Sequence, residues 1–310
     1  MLSKDSIKID LRYPEFANIL VFDDNGRRFE TCCFTHPNYE FNIFSISVTS
    51  DGCPVKCKFC DVPNAGIGIN LSADNMESQV LLAREVINQC SWVDKNKPIK
   101  IAFNRAGEPL LNPNVYEALE IFSNKNFNEL LENKLSSLEV VSMMPDTHGS
   151  NKLLDQMIDL SKTIDNEFYI QVSMHTSDED LRKQVIPFKQ IMPFEKINSY
   201  GEKFYYENNG KRKMTLTFHL MENLPVIPKD IKEIFKPDYF RVRIAYYSPT
   251  SPSKKISFPR SKLQRINELV EEFKVEGYGS YSSLISPGEH VVNTHPGAGL
   301  SLLTHLENQR

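Results

Sequence analysis

The chain is poor in cysteine, tryptophan and uninterrupted apolar sequence, with six cysteines and one tryptophan in 310 residues. No apolar run approaches the roughly 20 residues needed to cross a bilayer as a helix, so no membrane partner is expected. The opening MLSKDSIKIDLRYPEF lacks the apolar core of a secretory signal. A cytoplasmic, reducing location is therefore expected, where six cysteines read as metal ligands, catalytic groups or core thiols rather than disulfides. Long basic runs are also missing. Net charge is −4, and the densest basic clusters are Lys211–Lys213 and the pair Lys254–Lys255. These read as solvated loops, a poor footprint for gripping a phosphate backbone. There is no internal repeat and no low-complexity linker. What remains is ordinary, at 40% apolar and 25% charged residues. That composition suits a folded globular protein of one large domain or two small ones.

Half of the scarce cysteines fall within eight residues, in the order Cys53-x3-Cys57-x2-Cys60. Three cysteines do not pair evenly. A structural zinc site takes four protein ligands, commonly as two Cys/His pairs. Here there is no second CxxC and no His-x3-His, with only His36 as a candidate fourth ligand. An iron–sulfur cluster is the remaining reading. A [4Fe–4S] cluster usually has four thiolates, so three close ligands would leave one iron open to another molecule.

Strand-like runs appear at Phe44–Val48, Ile99–Phe103, Leu138–Met143, Phe168–Ser173, Met214–Leu220 and Tyr239–Tyr246. Helical patterns lie between them. The clearest begins after Ser72, a candidate N-cap, with apolar Met76, Val80, Ala83 and Ile87 on one face. Others lie near Val115–Phe122, Lys152–Leu160, Asp178–Val185, Lys229–Phe235 and Arg260–Phe273. Strands alternating with helices predict an α/β fold with a parallel sheet. Ahead of them, NILVFDDNGRRFETCCF reads as a β-hairpin turned at Asn25-Gly26.

The cysteine spacing, with Phe59 just before the last cysteine, resembles the signature of the radical S-adenosylmethionine (radical SAM) enzymes. That resemblance implies a partial (β/α)6 TIM-type barrel, here with an N-terminal β-hairpin extension. It also implies a [4Fe–4S] cluster on Cys53, Cys57 and Cys60 whose open iron chelates AdoMet. Reductive cleavage of AdoMet then yields a 5′-deoxyadenosyl radical. The expected organisation is a hairpin extension over 1–43, the barrel over 44–285 and a tail over 286–310 that closes the barrel. Within the superfamily the chain is most similar to the RlmN/Cfr-like rRNA adenine methylase branch, through CKFCDVPNAGIGINLSA, AGEPLLNPN and QVSMHTSDEDLRKQVIP. It departs from that branch in two places. Those methylases use a cysteine upstream of the cluster, where this chain has Ile46, and a second in the C-terminal tail, whereas the last cysteine here is Cys90. No segment comparable to their helical RNA-binding extension precedes the hairpin. RNA is therefore not the expected partner.

The resemblance assigns Gly107 and Glu108 to the AdoMet ammonium, Ser142 and Ser173 to its ribose or carboxylate, and Phe59 and His175 to the same cofactor pocket. Period-two alternation places Gln171, Ser173 and His175, then Thr215, Thr217 and His219, then Arg241 and Arg243, each on one strand face. A barrel wrapped in helices turns its apolar face outward, so these polar sets line the lumen. Two lumen arginines need anionic partners: either a barrel acid such as Glu139, or a substrate carboxylate or phosphate. Asn104, His219, Arg241, Arg243, His290 and His295 are the substrate candidates. Cys32, Cys33 and Cys90 read as core thiols. The tail from Ser286 to Leu302, with Pro287, Pro296 and Gly297-Ala298-Gly299, is expected to follow an irregular path with His290, Asn293 or His295 near the substrate. The functional expectation is hydrogen abstraction from an unidentified small-molecule substrate, anionic if the arginines serve it rather than a barrel acid, with an external one-electron donor such as flavodoxin or ferredoxin. Two rivals are an RNA-modifying enzyme with altered chemistry and a non-enzymatic metal- or cluster-binding protein.

Overall fold

The structure, a computed structural model, describes residues 2–13, 17–35, 40–91, 93–131, 134–164, 167–247, 258–282 and 296–308. Three antiparallel strands open the chain: β1 (Ile7–Tyr13), β2 (Ala17–Asp24) and β3 (Arg27–Phe34). Asn25 and Gly26 link β2 to β3 at φ 55° and 86°, the left-handed pair that a two-residue Asn-Gly hairpin requires. The extension is thus three strands rather than a lone hairpin. β1 went unread although Ile7, Ile9, Leu11 and Tyr13 alternate with Lys8, Asp10 and Arg12, the period-two pattern of a half-buried strand.

β3 also pairs antiparallel with β4 (Asn42–Ile46), so the extension and the barrel share one sheet. A small hairpin of β5 (Thr49–Gly52) and β6 (Ile67–Asn70) stands apart. The parallel series then runs through β7 (Ile99–Phe103), β8 (Leu135–Ser142), β9 (Glu167–Ser173), β10 (Met214–Leu220), β11 (Phe240–Tyr246) and β12 (Gly279–Ser282). The order is β1-β2-β3-β4-β7-β8-β9-β10-β11-β12, and among the described residues the two ends do not pair. The result is an open, partial barrel. All six expected barrel strands are present, and the short GSYS segment of β12, with no apolar run to announce it, adds a seventh.

Helices α1 (Ala73–Ile87), α2 (Asn114–Ser123), α3 (Lys125–Leu130), α4 (His148–Leu160), α5 (Glu179–Val185), α6 (Phe194–Glu207), α7 (Pro228–Ile234) and α8 (Leu263–Val275) follow the strands, and α9 (Ala298–Glu307) ends the chain. Ser72 caps α1, its Oγ accepting from Asn75 N at 3.2 Å. Met76, Val80, Ala83 and Ile87 are buried in the main core. On β9–β11, Ile170, Val172, Met214, Leu216, Phe218, Phe240, Val242 and Ile244 all join that core, as does Met174 just past β9. Fully burying each of the larger side chains contributes roughly 1.5–3 kcal/mol. Gln171, Thr215, Thr217, Arg241 and Arg243 alternate with them, as the period predicts, and bond among themselves inside the barrel.

α6 was not expected from the sequence. Its Gly201 is a poor interior helix residue, yet a Cβ there would lie 2.0 Å from Cζ of Phe240. Helix and strand approach so closely that only glycine fits. The tail is a second correction. Residues 298–302, expected to be irregular, form the first half of α9. Leu300 and Leu303 face Ile9 and Val21 of the N-terminal strands, giving the helix an apolar seat.

Candidate functional site

The cysteines lie on a loop framed by the β5–β6 hairpin. Gly52 permits the close crossing at its neck: at φ 122°, a Cβ would sit 2.1 Å from Gly66 O. Buried Asn112 ties both ends of the excursion, donating to Val48 O at 2.8 Å and Leu71 O at 2.9 Å. Within the loop, Cys53 N donates to Gly66 O at 3.2 Å and Cys60 N to Cys57 O at 3.2 Å. Lys58 N reaches Val185 O at the end of α5, at 3.0 Å.

Cys53 is buried, while Cys57 and Cys60 are partly exposed. Burial pushes the Cys53 thiol up to about 11 and the Cys60 thiol up to about 12, and raises that of Cys57 well above its ordinary value. Charge on Cys53 and Cys60 raises Cys57 further, so the three thiols share one neighbourhood. Among the described residues, no three of His, Cys, Asp and Glu gather closely enough for a single ion. Three thiols that feel one another's charge suit a cluster by their chemistry, since its cationic irons would stabilise the thiolates that burial opposes.

Other polar groups collect at the same, C-terminal end of the strands. After β7 the chain turns at Gly107, φ 98°, where a Cβ would lie 2.5 Å from Thr49 Oγ1. That turn presents Glu108, which is 4% exposed. Its carboxylate accepts from Ser142 Oγ at 2.5 Å, Met143 N at 2.9 Å and Leu110 N at 3.1 Å. Burial pushes it up to about 7 despite these donors. Ser142 ends β8, and Ser173, half-buried, ends β9. His175 follows at φ 66°, its ring 4.6 Å from that of Phe59 and 5.1 Å from that of His219. Burial first, then neighbouring His219 and Arg182, hold His175 well below its usual range. His219 is lowered to about 3 by burial and by Arg243. Both imidazoles are neutral at physiological pH. His175 Nδ1 accepts from His219 N at 3.3 Å, which fixes its tautomer with the proton on Nε2.

Arg182 was not singled out in the sequence, where it sits among other charges of α5. It is 1% exposed. Its guanidinium donates to Met143 O at 2.6 Å, Met192 O at 3.2 Å and Ser173 O at 3.2 Å. Burial lowers it to about 10. It clamps the ends of β8 and β9, which carry Ser142 and Ser173. The period of an isolated helix face could have flagged it, since Arg182 falls on the same face as buried Val185.

The substrate candidates divide. Asn104 bonds Ser45 at the top of β4. Arg243 lies midway down the lumen, donating to Gln171 Oε1 at 3.1 Å. Arg241 lies at the opposite end of the barrel, held by Thr215 Oγ1 at 2.7 Å and stacked 4.8 Å over Tyr169. Glu139 pairs with Lys100 at 2.6 Å and bonds Gln171. Burial alone would raise Glu139, but Lys100 and Arg243 outweigh it and hold the carboxylate below its usual range. Glu139 therefore serves Lys100 by contact and Arg243 only at longer range. His36, His290, Asn293 and His295 lie outside the described residues.

The profile of the radical SAM superfamily matches residues 47–193. A probable dual-specificity RNA methyltransferase RlmN of Dictyoglomus turgidum is 25% identical over 215 residues, covering 69% of this chain and 56% of that protein. Its counterpart in Chlorobium phaeobacteroides is 27% identical over 212 residues, covering 68% and 54%. The crystal structure of a radical SAM methyltransferase from Sphaerobacter thermophilus shares the fold at a TM-score of 0.73. It is 18% identical and covers 89% of this chain and 76% of that one. Residues 47–193, which include the Cys53-x3-Cys57-x2-Cys60 spacing, therefore resemble a radical SAM domain. The chain spans about half the length of the curated relatives it matches. Among the described residues no helix is long and apolar enough to cross a membrane.

Proposed function

We propose that Cys53, Cys57 and Cys60 hold the [4Fe–4S] cluster and that Gly107, Glu108, Ser142, Ser173, His175 and Phe59 form the AdoMet pocket. On this reading the chain abstracts hydrogen from a small anionic substrate. The observation that carries the reading is the convergence of three thiols with Glu108, Ser142, His175 and Arg182 at the C-terminal end of the parallel strands, where barrel enzymes place their chemistry. When bound, the cluster and AdoMet supply a 5′-deoxyadenosyl radical after reduction by a one-electron carrier of flavodoxin or ferredoxin type. The protein's share is orientation and exclusion of water. Glu108 offers a carboxylate already positioned by three donors. Phe59, His175 and Phe258 supply ring surface beside the thiols. Arg243, below His219, offers a cation to a carboxylate or phosphate entering the lumen.

Arg243→Ala should lower turnover of the true substrate by at least tenfold, while iron content and substrate-free AdoMet cleavage stay near wild type. Product formation at the wild-type rate would remove the arginine, and with it the anionic substrate, from the reading.

RNA modification is the second reading, favoured by the relatives, which are RNA methyltransferases by name. Against methyl transfer through a protein thiol, Ile46 packs in the main core, and Cys32, Cys33 and Cys90 are buried away from the cysteine loop. RNA binding that weakens steeply with added salt, together with label from methyl-AdoMet appearing in RNA, would favour this reading over the first.

A further inference from the structure

The cysteine loop has a solvent face whose charge is opposite to that of the chain as a whole. Cys57 is partly exposed there, and its neighbours Lys56 and Lys58 are both exposed. Lys56 holds its place in a left-handed conformation, φ 59°, on one side of Cys57. On the other side, the Lys58 N–H to Val185 O bond at 3.0 Å joins the loop to the end of α5. The chain beyond α5 brings Phe188 into the same apolar cluster as Cys57, Phe59 and Cys60, and exposed Lys189 follows it. Lys183 projects from the last turn of α5 but is already paired with Glu179 at 2.9 Å and Asp180 at 3.3 Å. Lys56, Lys58 and Lys189 form no ion pair among the described residues. Two unneutralised cations thus flank a partly exposed thiol of the triplet and a third follows the Phe188 that packs with it, in a protein of net charge −4.

We propose that Lys56, Lys58 and Lys189 form the docking surface for a small acidic one-electron carrier protein. This rests on the reading of Cys53, Cys57 and Cys60 as the cluster site. The carrier arrives reduced, gives up one electron to the cluster and leaves oxidised by one electron. No bond is made or broken and no proton moves in that step. Complementary charge raises the encounter rate and orients the partner, and its effect shrinks as salt screens it. Because Lys56 and Lys58 flank Cys57 itself, a carrier docked on them would sit against the partly exposed side of the cysteine loop.

The test uses the reconstituted protein, a reduced flavodoxin as the carrier, and the triple variant Lys56→Glu, Lys58→Glu and Lys189→Glu. Lys211→Glu is the control, since Lys211 precedes β10 and so lies at the opposite end of the barrel. Two readouts are taken, the flavodoxin dissociation constant by calorimetry and the rate of flavodoxin-driven AdoMet cleavage. The triple variant should bind flavodoxin at least tenfold more weakly at low salt, and carrier-driven cleavage should fall by a similar factor. Dithionite-driven cleavage and iron content should stay at the wild-type level, and Lys211→Glu should change neither readout. The wild-type advantage should vanish near 0.5 M salt. Equal flavodoxin affinity in wild type and triple variant would overturn the proposal. Failure of the wild-type protein to take up iron would instead overturn the cluster reading beneath it.

Discussion

Cys57→Ala should lower AdoMet cleavage by at least a thousandfold, to background, and should leave protein that takes up little or no stable iron and sulfide. On the proposed reading this thiol is the middle ligand of three on one loop, and the other two cannot close a cluster without it. The same loss is expected for Cys53→Ala and Cys60→Ala. Folding should survive, because the loop is pinned by Asn112 at its ends and by the Lys58 amide to α5, none of which involves a thiol. Removing a buried or partly buried thiol from the unloaded protein also costs little beyond a small packing defect. Circular dichroism and melting temperature should therefore stay near wild type while the visible absorption of the cluster disappears. Full cleavage by Cys57→Ala would refute the assignment of these three ligands.

The second large effect concerns stability rather than chemistry. Glu30, on β3, is wholly buried and pairs with Arg105 at 2.7 Å. Its carboxylate also accepts from Gly297 N at 2.5 Å, Gly299 N at 2.9 Å and Leu300 N at 3.1 Å, so it caps the N-terminus of α9. Gly297, at φ 90°, lies so close to the cysteine loop that a Cβ would come 3.0 Å from Val62 N. One carboxylate therefore joins the N-terminal strands, the turn leading to Glu108 and the tail helix beside the loop. Glu30→Ala strips the carboxylate from a buried arginine and from three amides at once. Breaking a buried pair by removing one partner typically costs about 3–5 kcal/mol. In a chain of this size that corresponds to a fall in melting temperature of roughly 5–10 °C. Limited proteolysis should then clip the tail ahead of the barrel. Glu30→Gln keeps acceptor oxygen but loses the charge, and should fall between. An unchanged melting temperature in Glu30→Ala would show that α9 is held by Leu300 and Leu303 alone.

The parts of the molecule that the sequence revealed are those where a repeating pattern meets a single physical demand. The six barrel strands had to bury one face under helices, so their alternation was plain in residues such as Ile170, Val172 and Met174. The Asn25-Gly26 turn and the Ser72 cap are local devices with local signatures. What stayed hidden depends on contacts distant in sequence. Gly201 weakens the helical pattern of α6 and makes sense only against the Phe240 ring. β12 is a strand because β11 offers it an edge, not because GSYS favours one. The tail became a helix because Glu30, more than 260 residues earlier, supplies its cap.

The site shows the same division. Three cysteines close in sequence advertise themselves, and the similarity to a known family extends the reading to Glu108, Ser142, Ser173 and His175. Arg182 carries no motif that separates it from the exposed charges around it. Its importance lies in three backbone carbonyls that only the fold brings together. Arg241 and Arg243 look alike in FRVRIAY, yet two residues along a strand move one to the far end of the barrel and leave the other below His219.

The most direct measurement is anaerobic reconstitution with iron and sulfide, followed by reduction in the presence of AdoMet and assay for 5′-deoxyadenosine. The expected result is about four irons and four sulfides per chain, as a [4Fe–4S] cluster requires, and release of 5′-deoxyadenosine that depends on both reductant and AdoMet. A protein that binds zinc in place of iron and sulfide, or that carries the cluster and leaves AdoMet intact under reduction, would contradict radical SAM chemistry at this site.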